Sequence, residues 1–171
     1  MRKLLITGTL GLVLLGFVLL GCGTHSPGGM TGPTLNNKLQ EAPRHPMESS
    51  AILERSQKTG EATVKHILIG WKSLDASYSD EMDPRARART AEQAEALIKS
   101  LLAKLEAGGV FEALMLEHSE DPGSASTAKP YRVHSEAPFA KRFIEISLRL
   151  DPGEWGVVRS VYGFHIIKRI R

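Results

Sequence analysis

Strand-forming segments stand at both ends of residues 62–171, and helix-forming segments fill the stretch between them. A single sheet made from such a chain must join strands from opposite ends of the domain, which excludes folds assembled from local hairpins alone. At the front, Ala62-Thr-Val-Lys-His-Ile-Leu-Ile69 is rich in β-branched residues. Period two places Val64, His66 and Leu68 on one face and Ile67 and Ile69 on the other. At the back, Trp155–Ser160 and Gly163–Ile170 read as two strands around a short turn. There Phe164, Ile166, Lys168 and Ile170 face one way, and His165 and Ile167 the other. Tyr131–Val133 adds a short strand.

Three helices are expected between these ends. The first runs through Arg89–Glu106, with Thr90 and Gln93 as a capping box and Ala94, Leu97, Leu101 and Leu105 as its buried stripe. Gly108-Gly109 ends it, because glycine accepts the left-handed backbone of a helix terminus. Phe111–His118 makes the second. Pro138, whose missing donor costs nothing at a helix start, opens a third through Leu148. Strand, helices, strands in so short a chain predicts an α+β domain with an antiparallel sheet of about four strands. The apolar content suffices for one layer of sheet and one layer of helices.

The chain before this domain has different chemistry. Met1-Arg2-Lys3 precedes an apolar run from Leu4 to Leu20, which ends at Gly21-Cys22 and gives way to Gly, Thr, Ser, Pro and Asn. A basic start, a short apolar core and small residues at the cut describe an export signal over residues 1–21. Cys22 is the only cysteine, so it forms no intramolecular disulfide. Leu-x-Gly-Cys resembles a bacterial lipobox, which implies that Cys22 is lipidated and anchors the chain to a membrane. An uncleaved spanning helix is the alternative, and both readings keep the domain outside the cytoplasm. Gly23 after the cysteine resembles lipoproteins sent to the outer membrane of Gram-negative cells, facing the periplasm. Residues 22–61 read as a flexible tether with room for a short helix over Ser50–Gly60. The formal charge is +3 and falls to +1 without Arg2 and Lys3, too balanced for a nucleic-acid partner.

Three polar residues stand out by position: His66 in the first strand, Asp121 after the second helix and His165 in the last strand. Each has a plain structural reading. A strand histidine is satisfied by one hydrogen bond, and Asp-Pro-Gly is turn chemistry in its own right. A metal site would need a fourth ligand that the spacing does not supply. Arg85, Arg87 and Arg89 alternate with alanine and read as a solvated helix face.

Lys65-His-Ile-Leu-Ile69 and Tyr162-Gly-Phe-His-Ile-Ile-Lys168 resemble the two histidine strands of the parvulin family of peptidyl-prolyl cis/trans isomerases. Gly109-Val-Phe-Glu-Ala-Leu114, His118-Ser-Glu-Asp121 and Leu150-Asp-Pro-Gly-Glu154 recur between them in the family's order, so the resemblance spans residues 62–171. It implies that His66 and His165 pair beneath a substrate proline and that Asp121 lies against the reacting peptide group. It also implies that Tyr131, Phe139 and Phe143 line the proline slot and that Tyr162 sits near a hydroxyl of the histidine network. Activity of this kind needs neither cofactor nor metal, and its substrates are proline-containing segments of exported or unfolded proteins. The sequence departs from the family at Ala128–Val133, where many parvulins carry several glycines. That departure leaves open a peptide-binding chaperone with little turnover. Nothing in the sequence sets an oligomeric state.

Overall fold

The computed structural model describes residues 42–78 and 81–171. The apolar run Leu4–Leu20 and Cys22 lie outside them. Among the described residues no helix is long and apolar enough to cross a membrane.

The described chain begins with a strap, Ala42–Gly60, that contains the short helix α1 (Ser50–Leu53). Strand β1 (Glu61–Ile69) follows, then a 3-10 helix (Lys72–Tyr78) and helices α2 (Pro84–Arg87), α3 (Ala91–Glu106), α4 (Phe111–His118) and α5 (Pro122–Thr127). Strand β2 (Tyr131–His134), helix α6 (Lys141–Ser147) and strands β3 (Trp155–Ser160) and β4 (Gly163–Arg169) complete it. The sheet order is β2-β1-β4-β3, antiparallel throughout. The first and last strands of the domain are therefore central neighbours.

Local chemistry explains most boundaries. Thr90 caps α3 in a full capping box with Gln93, and Gly108 closes it at φ +88°. Pro138 does not start α6. Phe139 N–H donates to Ala137 O at 2.8 Å in a turn first, and the helix begins at Lys141. Between the second and third expected helices lies an extra one, α5, capped by Asp121, whose carboxylate accepts from Ser124 N–H at 2.8 Å. At the β3–β4 turn, Gly163 has φ +135°, and a Cβ there would collide with the Ile69 carbonyl of β1. Glycine is what lets the last strand lie so close to the first.

Helices cover both faces of the sheet rather than one. Ile67, Ile69, Phe164 and Ile166 pack under α3 and α4 with Ile98, Leu101 and Phe111. On the opposite face Val64, Leu68, Val158 and Ile167 pack under α6, α1 and the segment around Tyr78 and Met82. A seven-residue α6 suffices for this second layer because Phe143 and Ile146 are both fully buried, each such side chain contributing roughly 1.5–3 kcal/mol.

The strap completes that second layer, where the sequence suggests the end of a tether. Ser49 N–H donates to Val157 O at 2.9 Å, and Val157 N–H returns to Ser49 Oγ at 2.9 Å, so the outer edge of β3 is covered. Ile52 enters the core, Arg55 grips Glu154 with two 2.7 Å bonds, and Thr59 N–H donates to Leu148 O at 2.8 Å.

Candidate active site

Antiparallel pairing sets His66 opposite Ile167 and Leu68 opposite His165, so both histidines project from the α6 face of the two central strands. Their rings lie 5.6 Å apart, 31° from parallel, with the two Nδ1 atoms 3.5 Å apart. Both are fully buried. Asp121 reaches them from the end of the α4–α5 connection, where its Oδ2 lies 3.4 Å from His66 Nε2. That approach is too oblique for a well-formed hydrogen bond, and His66 Nε2 has no better partner. The same Oδ2 accepts from Tyr131 O–H at 2.7 Å and from Ser124 N–H at 2.8 Å. Asp121 is thus both the cap of α5 and a member of the histidine cluster.

The far end of the cluster is Ser160, which the sequence reading does not single out. Its Oγ lies 2.7 Å from His165 Nε2 and accepts from Tyr162 N–H at 3.0 Å. Counting by twos along β3 from Val158 brings Ser160 to the histidine face, and that periodicity is the signal that would have found it. Proton positions follow from the carboxylate, which only accepts. With a proton on His66 Nε2 facing that carboxylate, a neutral His66 would accept at Nδ1 from His165 Nδ1–H. His165 Nε2 then accepts from the Ser160 hydroxyl. In that tautomer every hydrogen from Tyr162 to Asp121 would point toward the carboxylate.

Burial pushes the Asp121 carboxyl up, but His66, the Tyr131 hydroxyl and the Ser124 amide outweigh it and hold the group well below the usual carboxylate range. Burial pushes His165 well below the usual imidazole value, neighbouring His66 adds to this, and Asp121 opposes it. The Tyr131 phenol is pushed up by burial and by the Asp121 charge, so it stays a donor.

Aromatic rings surround the cluster. Phe143 meets His66 edge-on at 5.1 Å and His165 at 5.6 Å. Phe139 touches Phe143 at 5.2 Å and Tyr131 at 5.4 Å, and Tyr131 leans on His66 at 5.3 Å. Of these rings Tyr131 alone is not buried, so it forms the solvent-facing wall. It passes so close to α5 that a Cβ on Gly123 would strike the Tyr131 hydroxyl. Tyr162 differs from the other expected lining residues: its ring packs edge-on against Tyr78 at 5.5 Å, and its backbone amide makes the link to the cluster.

Of the arginines read as a solvated face, exposed Arg85 and half-buried Arg89 also hold the Asp121 segment. Arg85 donates to Glu117 O at 3.0 Å and to Ser119 O at 2.9 Å. Arg89 donates to Glu120 Oε1 at 2.6 Å and to Gly70 O at 3.0 Å, while Glu120 Oε2 accepts from Gly70 N–H at 2.6 Å. Arg87, paired with Asp75 at 3.3 Å, keeps the exposed position expected of it.

A sequence profile of the PPIC-type PPIASE domain matches residues 49–170. The chain belongs to that family. This PPIase domain is of parvulin type and is related to bacterial PrsA foldases. It is 36% identical over 109 residues to the foldase protein PrsA of Geobacillus kaustophilus, covering 63% of this chain and 38% of that protein. The chain thus spans less than two fifths of the curated relative's length. Among solved structures, the peptidyl-prolyl isomerase ESS1 of Candida albicans shares the fold, with a TM-score of 0.53 at 19% identity over 66% of this chain and 63% of that one. PrsA of Bacillus subtilis aligns with a TM-score of 0.46 at 25% identity over 66% of this chain and 35% of that one.

These relatives correct the expected outer-membrane placement. PrsA of Geobacillus and Bacillus is a lipoprotein of Gram-positive cells, not a periplasmic protein of Gram-negative ones.

Proposed function

We propose that this domain catalyses cis/trans isomerisation of X–Pro bonds in unfolded segments of exported proteins, and that Cys22 carries the lipid holding it at a membrane surface. Rotation about the X–Pro amide crosses a barrier of roughly 20 kcal/mol because twisting destroys resonance. No bond has to break. A catalyst needs an apolar slot that grips the proline ring and polar groups that favour the twisted amide over both planar forms. Phe139, Phe143 and Tyr131 supply the slot, with the Asp121–His66–His165–Ser160 chain as its floor. Asp121 is a fixed negative charge beside the swinging carbonyl. The histidines orient one another and the carboxylate, and neither serves as a nucleophile.

One observation carries this reading: a buried carboxylate, held ionised, lies beside paired imidazoles that the Phe143 and Tyr131 rings pack against. The test is refolding of a proline-limited substrate protein with catalytic amounts of the full chain. Acceleration is expected, and no acceleration at any concentration would sink the reading. Attachment at Cys22 is tested by labelled palmitate, which Cys22→Ala should abolish.

The alternative, peptide binding without turnover, draws on Tyr131. Its hydroxyl already occupies Asp121 at 2.7 Å, and the glycine-free Ala128–Val133 stretch sets Ala128 in a left-handed conformation at φ +51°. Saturable binding of a proline peptide with no rate gain would favour this second reading.

A further inference from the structure

Phe139 has two sides. One meets Tyr131 and Phe143 in the proline slot. The other lines a separate groove of about 680 Å³, a volume typical of clefts that take ligands. Ala137, Ile144 and Leu148 form the apolar floor with Phe139, and Lys58 and Arg149 stand at the rim. Ala137, Phe139 and Leu148 are nearly covered, while Ile144 stays half-buried and presents its side chain to the opening. The groove is a built feature. The Ser135–Phe139 turn makes one wall, α6 the floor, and the strap brings Lys58 to the other wall, pinned by the Thr59–Leu148 hydrogen bond.

We propose that this groove is a second subsite of the proline slot and takes a large apolar side chain of the same unfolded polypeptide, about two residues from the proline. The inference rests on the isomerase reading and names the substrate class it favours. Continuity through one shared ring is the first argument, since a chain whose proline lies on one side of Phe139 has the groove immediately beyond. Backbone geometry is the second. In an extended chain, side chains two residues apart project from the same face, spaced by about 7 Å, which is one ring's width. Chemistry is the third. Lys58, Lys141 and Arg149 are offset by Glu136 and Glu145, so the surroundings select no strong charge and the apolar floor decides.

The test uses the full chain and blocked proline peptides that carry Phe two residues before or two residues after the proline, with Ser counterparts. Wild type should bind one Phe peptide about tenfold more tightly than its Ser counterpart. Ile144→Asp should erase that preference and leave the Ser peptides unaffected. Equal affinity for Phe and Ser in both placements overturns the proposal, as does a preference that survives Ile144→Asp. Should that variant fail to fold, the wild-type Ile144 methyl resonances decide: they must shift with the preferred Phe peptide and stay put with its Ser counterpart. Turnover of the Ser peptides judges the isomerase reading separately. No rate gain alongside an Ile144-dependent Phe preference would sink that reading while leaving the groove as a peptide site.

Discussion

Arg142 and Phe143 are neighbours on α6, yet they serve two buried polar clusters of opposite character. Arg142 reaches Glu48 of the strap, whose carboxylate is fully matched: Arg142 Nη1 lies 3.0 and 2.9 Å from its two oxygens, and Arg159 N–H and His45 N–H fill the remaining acceptor sites at 3.0 and 2.9 Å. Phe143 covers His66 and His165, where the match is incomplete. His66 Nε2 faces Asp121 obliquely, and His165 is kept from protonating. Charge that is fully paired fixes an element in place. A buried donor left imperfectly paired retains attraction for an acceptor that arrives later, which suits a group meant to act on a changing amide. One helix thus separates a structural clasp from a poised site.

The largest way to break the contrast is at the clasp. Glu48→Ala strands the Arg142 charge in the interior and should cost about 3–5 kcal/mol in urea unfolding, while isomerisation per folded molecule changes little. If activity fell as steeply as stability, the two clusters would be one unit. Changes at the site should show the reverse balance. Asp121→Asn and His66→Ala should each slow isomerisation by about 10- to 100-fold, the kinetic weight of a hydrogen bond to a charged group. Measured unfolding should suffer less than in Glu48→Ala.

The two clusters also differ in how far the sequence reveals them. His66 and His165 stand out in the sequence as histidines within apolar strands, but periodicity alone fits two satisfied core rings equally well, and only the parvulin resemblance pairs them. Apolar spacing gives Phe139 and Phe143 only as the buried side of a helix, and the resemblance is what makes them slot residues. The strap was not legible. It attaches through backbone hydrogen bonds at Ser49 and Thr59 and a single apolar anchor, Ile52, and none of these makes a periodic pattern. Arg85 and Arg89 misled for a related reason. Several of their partners are distant in sequence, from the Gly70 carbonyl before them to the Glu117 and Ser119 carbonyls and the Glu120 carboxylate after them, and alternation with alanine looks identical whether a guanidinium meets water or a folded loop. Asp121 carried two readings, turn residue and site member; the fold makes it the cap of α5 and sets it beside His66.

Acidification should sharpen the contrast at intermediate size. In the unfolded chain His165 protonates near its ordinary value of about 6.5. Its folded value is well below that. Between the two, the unfolded chain binds more protons, so stability rises with pH and is lost as pH falls below about 6.5, by up to about 1.4 kcal/mol per unit. The Asp121 contribution is lost only further down, beneath the usual carboxylate range. Urea midpoints at pH 7.5, 6.5 and 5.5 should show this slope, and His165→Gln should flatten it. A shallower slope should persist, because partly buried His118 is also pushed down by burial. An unchanged slope in His165→Gln would place the sensitive group elsewhere.

The smallest change tests whether Tyr131 holds the site shut or completes it. Tyr131→Phe keeps the ring against His66 and Phe139 but removes the donor at 2.7 Å from Asp121. Stability should fall by about 1 kcal/mol, the net worth of such a bond. If the hydroxyl must leave Asp121 before a substrate carbonyl can approach, that same energy opposes catalysis in the wild type. Its removal should then raise kcat/KM about fivefold, so that stability and activity move in opposite directions. Losses in both would make the hydroxyl a working part of the site. A gain would mark it as the place where this chain trades turnover for the same kind of matched pairing that Glu48 enjoys across α6.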